Sequence, residues 1–419
     1  MNELKVKEMW LRASLFFAAA LLAAVESHAQ NVVTKWNSIA SATIVAHGGK
    51  PPASSGVWFA YTSIAEYDAV NAIHHQFQPF YYQGSAPDSA SEEAAAVAAA
   101  HRVLVNYFPA QQPALDAQFV ASLANITAAP DDKAAGIATG EAAAAALIAA
   151  RAGDGLNANV PFTPGSGPGV WQPTPPKFLP GVTPWLGQMR PFTMTSASQF
   201  RPEGPTPLTS EEWEDDYNQT RILGDINSTV RTPEQTEIGL FWTEHTGQQY
   251  ARAFGYFAEN YKLNVMDTAR LMAILWTGFS DSLIACFDAK YHYSFWRPVT
   301  AIRDGGGNSD LIADPNWTPL GVTPNHPEYP AAHACVTGTV SRLTRDYFGT
   351  RKVRIVVDSL AFADGVHTHT FDDTTDWFEE VFWARIYAGF HYQHSLEDGG
   401  DMGRRVSKQL FRKNFRPQN

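Results

Sequence analysis

Basic and histidine side chains recur at three separated places in the second half of this 419-residue chain. Lysine supplies a compact charge and arginine a planar fork of donors. Neutral histidine supplies a nitrogen that can ligate or attack a central atom. Together these residue types predict a pocket for a tetrahedral oxyanion. The positions are Lys290 and Arg297, then Pro330-Ala331-Ala332-His333, then Arg385 and His391.

Helical spacing explains how the first two places could face one anion. Lys290 and Arg297 are seven residues apart, about two helical turns, so on a continuous helix they share a face. Pro298 is expected to end that helix. Pro330 is suited to open another helix, whose first amides would point outward without intrahelical acceptors. Such a helix start attracts anions, and His333 would stand beside the anion as an acid or base.

The third place needs a bend in the chain. Arg385 and His391 are six residues apart, about 600° of helical rotation, so they do not share a helix face. Gly389 lies between them and gives the backbone the freedom to turn. We expect His391 to be the residue that engages the central atom directly.

In order and spacing, these places resemble the signature of the vanadium-dependent haloperoxidases and type-2 phosphatidic-acid phosphatases. The flanking sequences are similar to the bacterial haloperoxidases more than to the membrane lipid phosphatases. They read DSLIACFDAKYHYSFWRPVTAIR, NHPEYPAAHAC and ARIYAGFHYQHSLEDG, and AEYDAVNA at 65–72 is similar to the same branch. The resemblance is densest between residues 265 and 400. It implies an all-α fold of two helical bundles, with vanadate as the cofactor.

The resemblance also implies a role for each motif residue. Vanadate would act as a Lewis acid on hydrogen peroxide, halide would be oxidised, and a small organic acceptor would be halogenated. Phosphate would compete for the same site. His391 would be the axial vanadium ligand, and His333 the acid/base for peroxide. The vanadate oxygens would be held by Lys290, Arg297, Arg385 and the amide of Ala332.

His326 bears on the halide. It stands seven residues before His333, where the resemblance places histidine in bromoperoxidases and phenylalanine in chloroperoxidases. This favours bromide or iodide. The alternative is a structural loop histidine beside Pro327.

Three departures from the family pattern keep two other functions open. Ala331 and Ala332 replace a serine and a glycine, which removes one hydroxyl donor to the anion and roughly 1.5–3 kcal/mol of charge-assisted hydrogen bonding. Ser395 stands where the phosphatases have an aspartate after the nucleophilic histidine, which counts against phosphatase chemistry. One alternative is a phosphohydrolase with His391 as nucleophile and His333 as acid. The other is an oxyanion-binding protein without turnover.

Several other residues near the motifs are candidates for supporting roles. Cys286 and Cys335 could form a disulfide or remain buried thiols. His367 and His369 could bind a divalent metal, although a solvated loop is the favoured interpretation. The candidates for orienting His391, Arg385 or the opposite wall of the pocket are Glu397, Asp398, Asp281, Asp288, His292 and His394.

Composition places the protein among exported globular chains. A basic start, an apolar run from Ala13 to Val25 and the sequence Ser27-His28-Ala29 predict a signal peptide at 1–29, with an uncleaved anchor as the alternative. We therefore expect a secreted or periplasmic protein. A net charge of −11 without a basic cluster argues against nucleic acid. No later segment has 18 consecutive apolar residues, so the sequence predicts no further membrane span. A homo-oligomer is compatible with the sequence.

The periodicity predicts helices and no strands. We expect an N-terminal helical half at 30–160, a packed Pro/Gly-rich connection at 161–207, and a C-terminal helical half at 208–419 that carries the site. Half of positions 161–184 are Pro or Gly, interrupted by aromatic residues. Such a loop packs on the protein surface, and it could also form one wall of a substrate channel. The helices are expected near 32–47, 57–77, 91–107, 112–126, 131–151, 209–226, 233–262, 265–291, 331–348 and 374–391.

Overall fold

Helices make up most of the regular structure of this all-α protein, in agreement with the sequence. A computed structural model describes residues 31–418. Its first half contains α1 (Val32–Ser41, continued by a π-helical turn at Ala42–His47), α2 (Gly56–His74), α3 (Glu92–Tyr107), α4 (Gln112–Ala124) and α5 (Pro130–Ala150). Its second half contains α6 (Glu211–Leu223), α7 (Pro233–Phe241), α8 (Thr246–Asn260), α9 (Val265–Tyr293), α10 (Pro298–Asp304), α11 (Ala332–Phe348), a hairpin of β1 (Ile355–Phe362) and β2 (Gly365–Phe371), α12 (Thr374–Tyr387) and α13 (Gln393–Lys413).

Helix α9 is the central element of the core. It begins at a side-chain cap, where the carboxamide oxygen of Asn264 accepts from the Asp267 amide at 2.7 Å. Because it is apolar on almost every side, it is buried between α2 and α11. The Phe59 ring of α2 stacks on Trp276 of α9 at 4.1 Å between centroids. The rigid core therefore reaches the end of α9, where Lys290 lies.

Among the described residues, two helices are long and apolar enough to cross a membrane by length and composition, α5 and α9. For α9 this composition reflects burial, since 94% of its most apolar window lies inside the protein. For α5 the composition reflects close packing on α3, as the Ala-rich sequence predicts. A side chain at Gly140 would come within 2.3 Å of the Ala95 carbonyl oxygen.

The two halves share one hydrophobic core, which extends from Val33 to Phe415. Residues Val32–Asn419 form one compact unit. A smaller cluster around Trp213 and Trp296 packs beside α10. The predicted signal peptide at 1–29 lies outside the described residues.

The expectation of no strands is wrong for residues 355–371. Strands β1 and β2 pair antiparallel, with Ile355 opposite Phe371. The β2 sequence Val-His-Thr-His-Thr-Phe does alternate in polarity, and strand-favouring Val and Thr residues support it. His367 and His369 therefore lie on a strand and not in a solvated loop.

The helix predictions also need correction in two regions. The helix expected at 233–262 is broken into α7 and α8 around Trp242, whose backbone leaves the helix. Helix α13 was not predicted, because its glycines disfavour a helix. Here tertiary packing outweighs propensity: a side chain at Gly403 would lie 2.4 Å from the Cys335 carbonyl oxygen of α11.

Candidate active site

Three buried cations from different elements converge on one place. Lys290 lies in the last turn of α9, and Arg385 lies in the last turn of α12. Arg297 does not continue the helix of Lys290, as the seven-residue spacing suggested. Helix α9 ends at Ser294, which adopts a left-handed conformation with φ of 48°, and Arg297 is an extended residue just before α10. A turn, and not a shared helix face, brings Lys290 and Arg297 together.

Backbone carbonyl groups hold these cations in place. Lys290 Nζ donates to the carbonyl oxygens of Pro327 and Glu328, at 2.9 and 2.7 Å. Arg297 Nη1 donates to the Phe390 carbonyl oxygen at 3.0 Å. Arg385 Nη1 donates to the Trp242 carbonyl oxygen at 2.6 Å.

Within residues 31–418, none of the three cations forms a salt bridge with a carboxylate. Burial lowers the pKa of Lys290 to about 8, of Arg297 to about 10 and of Arg385 to about 9. Burying a charge without an opposite charge is unfavourable, so this cluster favours an anion. Arg385 Nε has no hydrogen-bond partner among the described residues and remains available as a donor.

The start of α11 adds backbone donors. The helix begins at Ala332, with Ala331 as its N-cap, so Pro330 lies just outside the helix and does not open it. The Ala331 amide donates to the Ser395 carbonyl oxygen at 3.0 Å and is no longer free for an anion. The amides of Ala332 and His333 come before the first residue that can find an intrahelical acceptor. The Ala334 amide also precedes the first intrahelical bond, which the Cys335 amide makes to the Ala331 carbonyl oxygen at 3.0 Å. Three amides of the first turn therefore have no intrahelical acceptor and favour an anion.

His391 is held by a carboxylate that the sequence did not reveal. Its Nδ1 lies 2.6 Å from Oε1 of Glu328, and both side chains are fully buried. Burial is the main cause that lowers the pKa of His391 well below the usual value, and the nearby positive charges lower it further. Burial raises the pKa of Glu328 to about 7, against the opposing effect of Lys290 and Arg297. A neutral His391 that donates from Nδ1 to Glu328 leaves Nε2 free as a ligand or nucleophile.

The backbone turn at Gly389 places His391 next to the cations. Gly389 has φ of 75°, a left-handed conformation that glycine adopts readily. The turn leaves His391 Nε2 at 3.2 Å from Arg297 Nη1. The bend expected between Arg385 and His391 is therefore present.

Two further histidines line the same site. His333 is half-buried, and its Nε2 lies 3.2 Å from the hydroxyl of Thr246. His326 is buried, with Nδ1 at 3.0 Å from Arg297 Nη2 and its ring 5.2 Å from that of Phe287. Burial lowers the pKa of both His326 and His333 well below the usual value, so both rings are neutral. The structure thus brings every motif residue into one site.

The acids proposed as supports for this site lie elsewhere. Asp281 accepts from the amides of Phe192 and Thr193, at 2.7 and 2.8 Å. Asp288 forms a salt bridge with Arg201 at 2.7 Å. Both acids therefore fasten the 161–207 connection to α9, and neither reaches an anion.

The residues proposed to orient His391 or Arg385 have other partners as well. Glu397 is exposed and accepts from Gln393 at 2.9 Å. Asp398 binds the Tyr329 hydroxyl and His394. His292 is exposed and packs on the Tyr293 ring.

The hairpin histidines and the cysteines have structural partners. His369 lies between Glu380 and Glu237, at 2.7 and 3.1 Å, and His367 contacts Glu237 at 2.9 Å. These pairs fasten β2 to α7 and α12. Cys286 and Cys335 are free and buried. The Cys286 thiol lies 3.5 Å from the Pro330 carbonyl oxygen, directly behind the start of α11.

A cavity of about 620 Å³ opens above these residues. His333, Arg385 and His391 lie at its floor, together with Ala332. Its lining includes residues from Thr174 to Val182, so the Pro/Gly-rich loop contributes to the wall of this cavity. Residues 51–53 from the first half also line the cavity.

Comparison with known proteins agrees with this geometry. A family model described as the VCPO second helical-bundle domain matches residues 270–419, which include every motif residue. A vanadium chloroperoxidase from Curvularia inaequalis is 31% identical over 30% of this chain. That alignment spans 25% of the relative, about a quarter of its length.

Solved structures extend the likeness to the whole fold. A bacterial vanadium-dependent iodoperoxidase matches with a TM-score of 0.77 at 22% identity, over 91% of this chain and 96% of the other. A holo-type bacterial vanadium-dependent chloroperoxidase matches with a TM-score of 0.69 at 18% identity, over 88% and 92% of the two chains. The fold is thus that of the bacterial vanadium haloperoxidases. Residues 270–419 are thus similar to the second helical-bundle domain of that family, and the likeness outside them is one of fold.

The residues present fit a tetrahedral oxyanion such as vanadate. Lys290, Arg297 and Arg385 supply positive charge and form no salt bridge with a carboxylate among residues 31–418, and the first turn of α11 supplies backbone amides. His391 Nε2 faces the same place and is not protonated. A site with three buried cations suits an anionic metal oxide better than a metal cation, which these positive charges would repel.

Proposed function

We propose that this chain is an exported vanadate-dependent haloperoxidase that oxidises bromide or iodide with hydrogen peroxide. The observation that carries the proposal is the cluster of buried cations without carboxylate partners around His391 Nε2. Vanadate bound there would act as a Lewis acid on peroxide without changing its oxidation state. Lys290, Arg297, Arg385 and the Ala332 amide would hold its oxygens, and His391 would bind it through Nε2.

His333 is suited to move the peroxide proton in this proposal. Its pKa lies well below the usual value because of burial and the neighbouring cations, so the ring is neutral and can accept a proton. Thr246 hydrogen-bonds to Nε2 and orients the ring. His326 lies in the cavity wall beside Arg297, which supports the preference for bromide or iodide inferred from its position.

A phosphohydrolase is the second candidate, and the Glu328–His391 pair favours it. The sequence argued against this activity because Ser395 replaces the aspartate that follows the nucleophilic histidine. Glu328 contacts His391 Nδ1 from another element and can orient the imidazole as that aspartate would. His391 would attack phosphorus, and His333 would protonate the leaving group.

Both candidates can be tested on the purified protein without residues 1–29. One assay follows peroxide-dependent bromination of a phenol dye and oxidation of iodide, with and without orthovanadate. A parallel assay follows hydrolysis of p-nitrophenyl phosphate. Vanadate-dependent halide oxidation that disappears in His391→Ala establishes the haloperoxidase.

Each other result points to a different function. Hydrolysis that vanadate inhibits, with no halide oxidation, replaces the haloperoxidase by the phosphohydrolase. Silence in both assays, with anion binding retained, supports an oxyanion-binding protein without turnover. The export proposal is tested separately, by the N-terminal sequence of protein secreted from an expressing bacterium, which should begin at Gln30.

A further inference from the structure

We propose that the break between helices α7 and α8 is a positioning segment of the oxyanion site around His391, and that Glu380 of α12 fixes it. Glu380 orients Arg385 without contacting an anion, because it holds Trp242, whose carbonyl group binds Arg385. The inference rests on the oxyanion site of the proposed function and not on the reaction carried out there. The observations are the geometry of the break, the contacts that fasten it and the contacts of Arg385.

The break gives two consecutive carbonyl groups partners outside the helices. Helix α7 ends at Phe241 and α8 begins at Thr246, where the sequence predicts one continuous helix. The Trp242 carbonyl oxygen accepts from Arg385 Nη1 at 2.6 Å. The Phe241 carbonyl oxygen accepts from the Ser359 hydroxyl of β1 at 2.8 Å. In an unbroken helix both carbonyl groups would instead accept from amides of the next turn, so the break makes the contact with Arg385 possible.

The same break supplies a second contact to the site. Thr246 is the first residue of α8, and its hydroxyl lies 3.2 Å from His333 Nε2. One short segment thus provides a partner for Arg385 and a partner for His333. A shift of this segment would therefore move both partners.

Glu380 fastens the ring of Trp242 within this segment. Glu380 Oε1 accepts from Trp242 Nε1 at 2.9 Å and lies 2.7 Å from His369 Nδ1. The His369 ring in turn stacks on the Phe241 ring, at 3.8 Å between centroids. Because the rotamers that a side chain can adopt depend on its own backbone angles, a fixed Trp242 ring also limits the direction of the Trp242 carbonyl group.

Arg385 depends on that carbonyl group for the direction of its donors. The Arg385 side chain is buried, yet its Nε has no hydrogen-bond partner among the described residues. The guanidinium carbon lies 4.8 Å from the centre of the Phe390 ring. A contact with a ring face allows the guanidinium group to rotate in its own plane, so it does not select which N–H groups point to an anion. The hydrogen bond to Trp242 makes that selection.

The direction of the expected effect distinguishes positioning from simple electrostatics. Glu380 is an acid on the same helix as Arg385, so the loss of its negative charge alone should strengthen the binding of an anion. If Glu380 positions Arg385 through Trp242, the loss of its acceptor oxygen should weaken that binding. The two roles therefore predict changes of opposite sign.

The test measures sulfate affinity by calorimetry in two variants of Glu380. Glu380→Leu removes both the charge and the acceptor, whereas Glu380→Gln removes the charge and keeps an oxygen acceptor. The matched control is Glu379→Leu, which removes an exposed acid from the same helix. We expect a loss of roughly tenfold in Glu380→Leu, the lower end of what one charge-assisted hydrogen bond contributes. Glu380→Gln should keep most of the affinity, and Glu379→Leu should bind sulfate at least as tightly as the wild type.

An Arg385→Gln background shows whether the effect passes through Arg385. Adding Glu380→Leu to this background should weaken sulfate binding no further, because the guanidinium group that Glu380 directs is gone. Trp242→Phe removes the donor of the same hydrogen bond and should reproduce the loss, and it tests the same step if Glu380→Leu does not fold. An equal loss in the Arg385→Gln background would show a general disturbance of the fold and overturn the inference.

Vanadate-dependent oxidation of iodide separates this inference from the proposed function. Unchanged or stronger sulfate binding by Glu380→Leu overturns the positioning role, and iodide oxidation by the wild type then leaves the haloperoxidase intact. A loss of sulfate affinity that requires Arg385, without iodide oxidation by the wild type, supports the positioning role and overturns the haloperoxidase. An equal loss in Glu379→Leu also overturns the positioning role.

Discussion

Replacing Glu328 by glutamine tests whether the buried carboxylate makes His391 competent. The substitution removes one charge and nearly preserves the side-chain volume. Glu328 Oε1 lies 2.6 Å from His391 Nδ1, and neither side chain reaches solvent. A charge-assisted hydrogen bond of this kind is worth about 1.5–3 kcal/mol. If that energy orients His391 in the transition state, turnover falls by about 10- to 150-fold.

The same substitution should not weaken simple anion binding. Glu328 is the carboxylate in contact with His391, and its loss removes a repulsion between that charge and a bound anion. We therefore expect sulfate, which forms no bond to His391, to bind Glu328→Gln at least as tightly as the wild type. A fall in turnover without a fall in sulfate affinity is the pattern of a positioning residue.

The assay is vanadate-dependent oxidation of iodide, measured between pH 5 and pH 9 beside calorimetry with sulfate. Because the pKa of Glu328 is raised to about 7, its carboxylate is present above pH 7 and is lost as the pH falls through 7. The turnover of the wild type should therefore fall as the pH drops below 7, and the pH profile of Glu328→Gln should lack this fall.

Glu397→Gln is the matched control, since Glu397 is an exposed acid on α13 that contacts Gln393 and not His391. Equal melting temperatures exclude misfolding as the cause. Full turnover in Glu328→Gln, or an equal loss in Glu397→Gln, would refute the reasoning.

Three further predictions concern the anion and the fold. Ala331→Ser should strengthen sulfate binding by up to about 10- to 150-fold, because it supplies the missing hydroxyl donor. The new serine is also the N-cap of α11 and should add about 1 kcal/mol to the free energy of unfolding. An unchanged calorimetric affinity for sulfate would show that the hydroxyl does not reach the anion. Burial lowers the pKa of Lys290 to about 8, so sulfate affinity should fall as the pH rises through 8, and Lys290→Gln should bind weakly without this pH step. Burial raises the pKa of Glu66 well above the usual value, so the folded state binds the Glu66 proton more tightly than the unfolded state and loses stability as the pH rises above about 4.5. Glu66→Gln should therefore raise the melting temperature at pH 8 and not at pH 4. An equal shift at both pH values would contradict this.

The residue types and spacing of the three motifs were enough to predict that their side chains lie close together. Lysine, arginine and histidine at these positions have few other uses in combination, and Gly389 marked the bend that His391 needs. The path of the chain at Arg297 was not predictable, because helical spacing cannot distinguish one helix from a helix, a turn and a second helix. The left-handed residue at that turn is Ser294, which carries no glycine signal.

The role of Glu328 illustrates a different limit. Four candidate acids were chosen because they lie near the motif residues along the sequence, yet contact with His391 comes from a residue 63 positions away. A signal existed, since Glu328 stands two residues before the Pro330–His333 motif. The direction of the Glu328 side chain could not be inferred from the sequence, because the segment around it is irregular and has no periodicity. The hairpin at 355–371 was missed for a related reason, since only β2 alternates clearly.

The lack of a salt bridge at Lys290, Arg297 and Arg385 among residues 31–418 also affects how long the protein survives. An anion that binds the folded state and not the unfolded state stabilises the fold by about 2.7 kcal/mol at a concentration of 100 Kd. Phosphate and sulfate in the surroundings would thus prolong the lifetime of the folded chain while they occupy the place of vanadate. The concentration of these anions therefore sets how much of the protein stays folded, and in the proposed haloperoxidase their ratio to vanadate would set the active fraction.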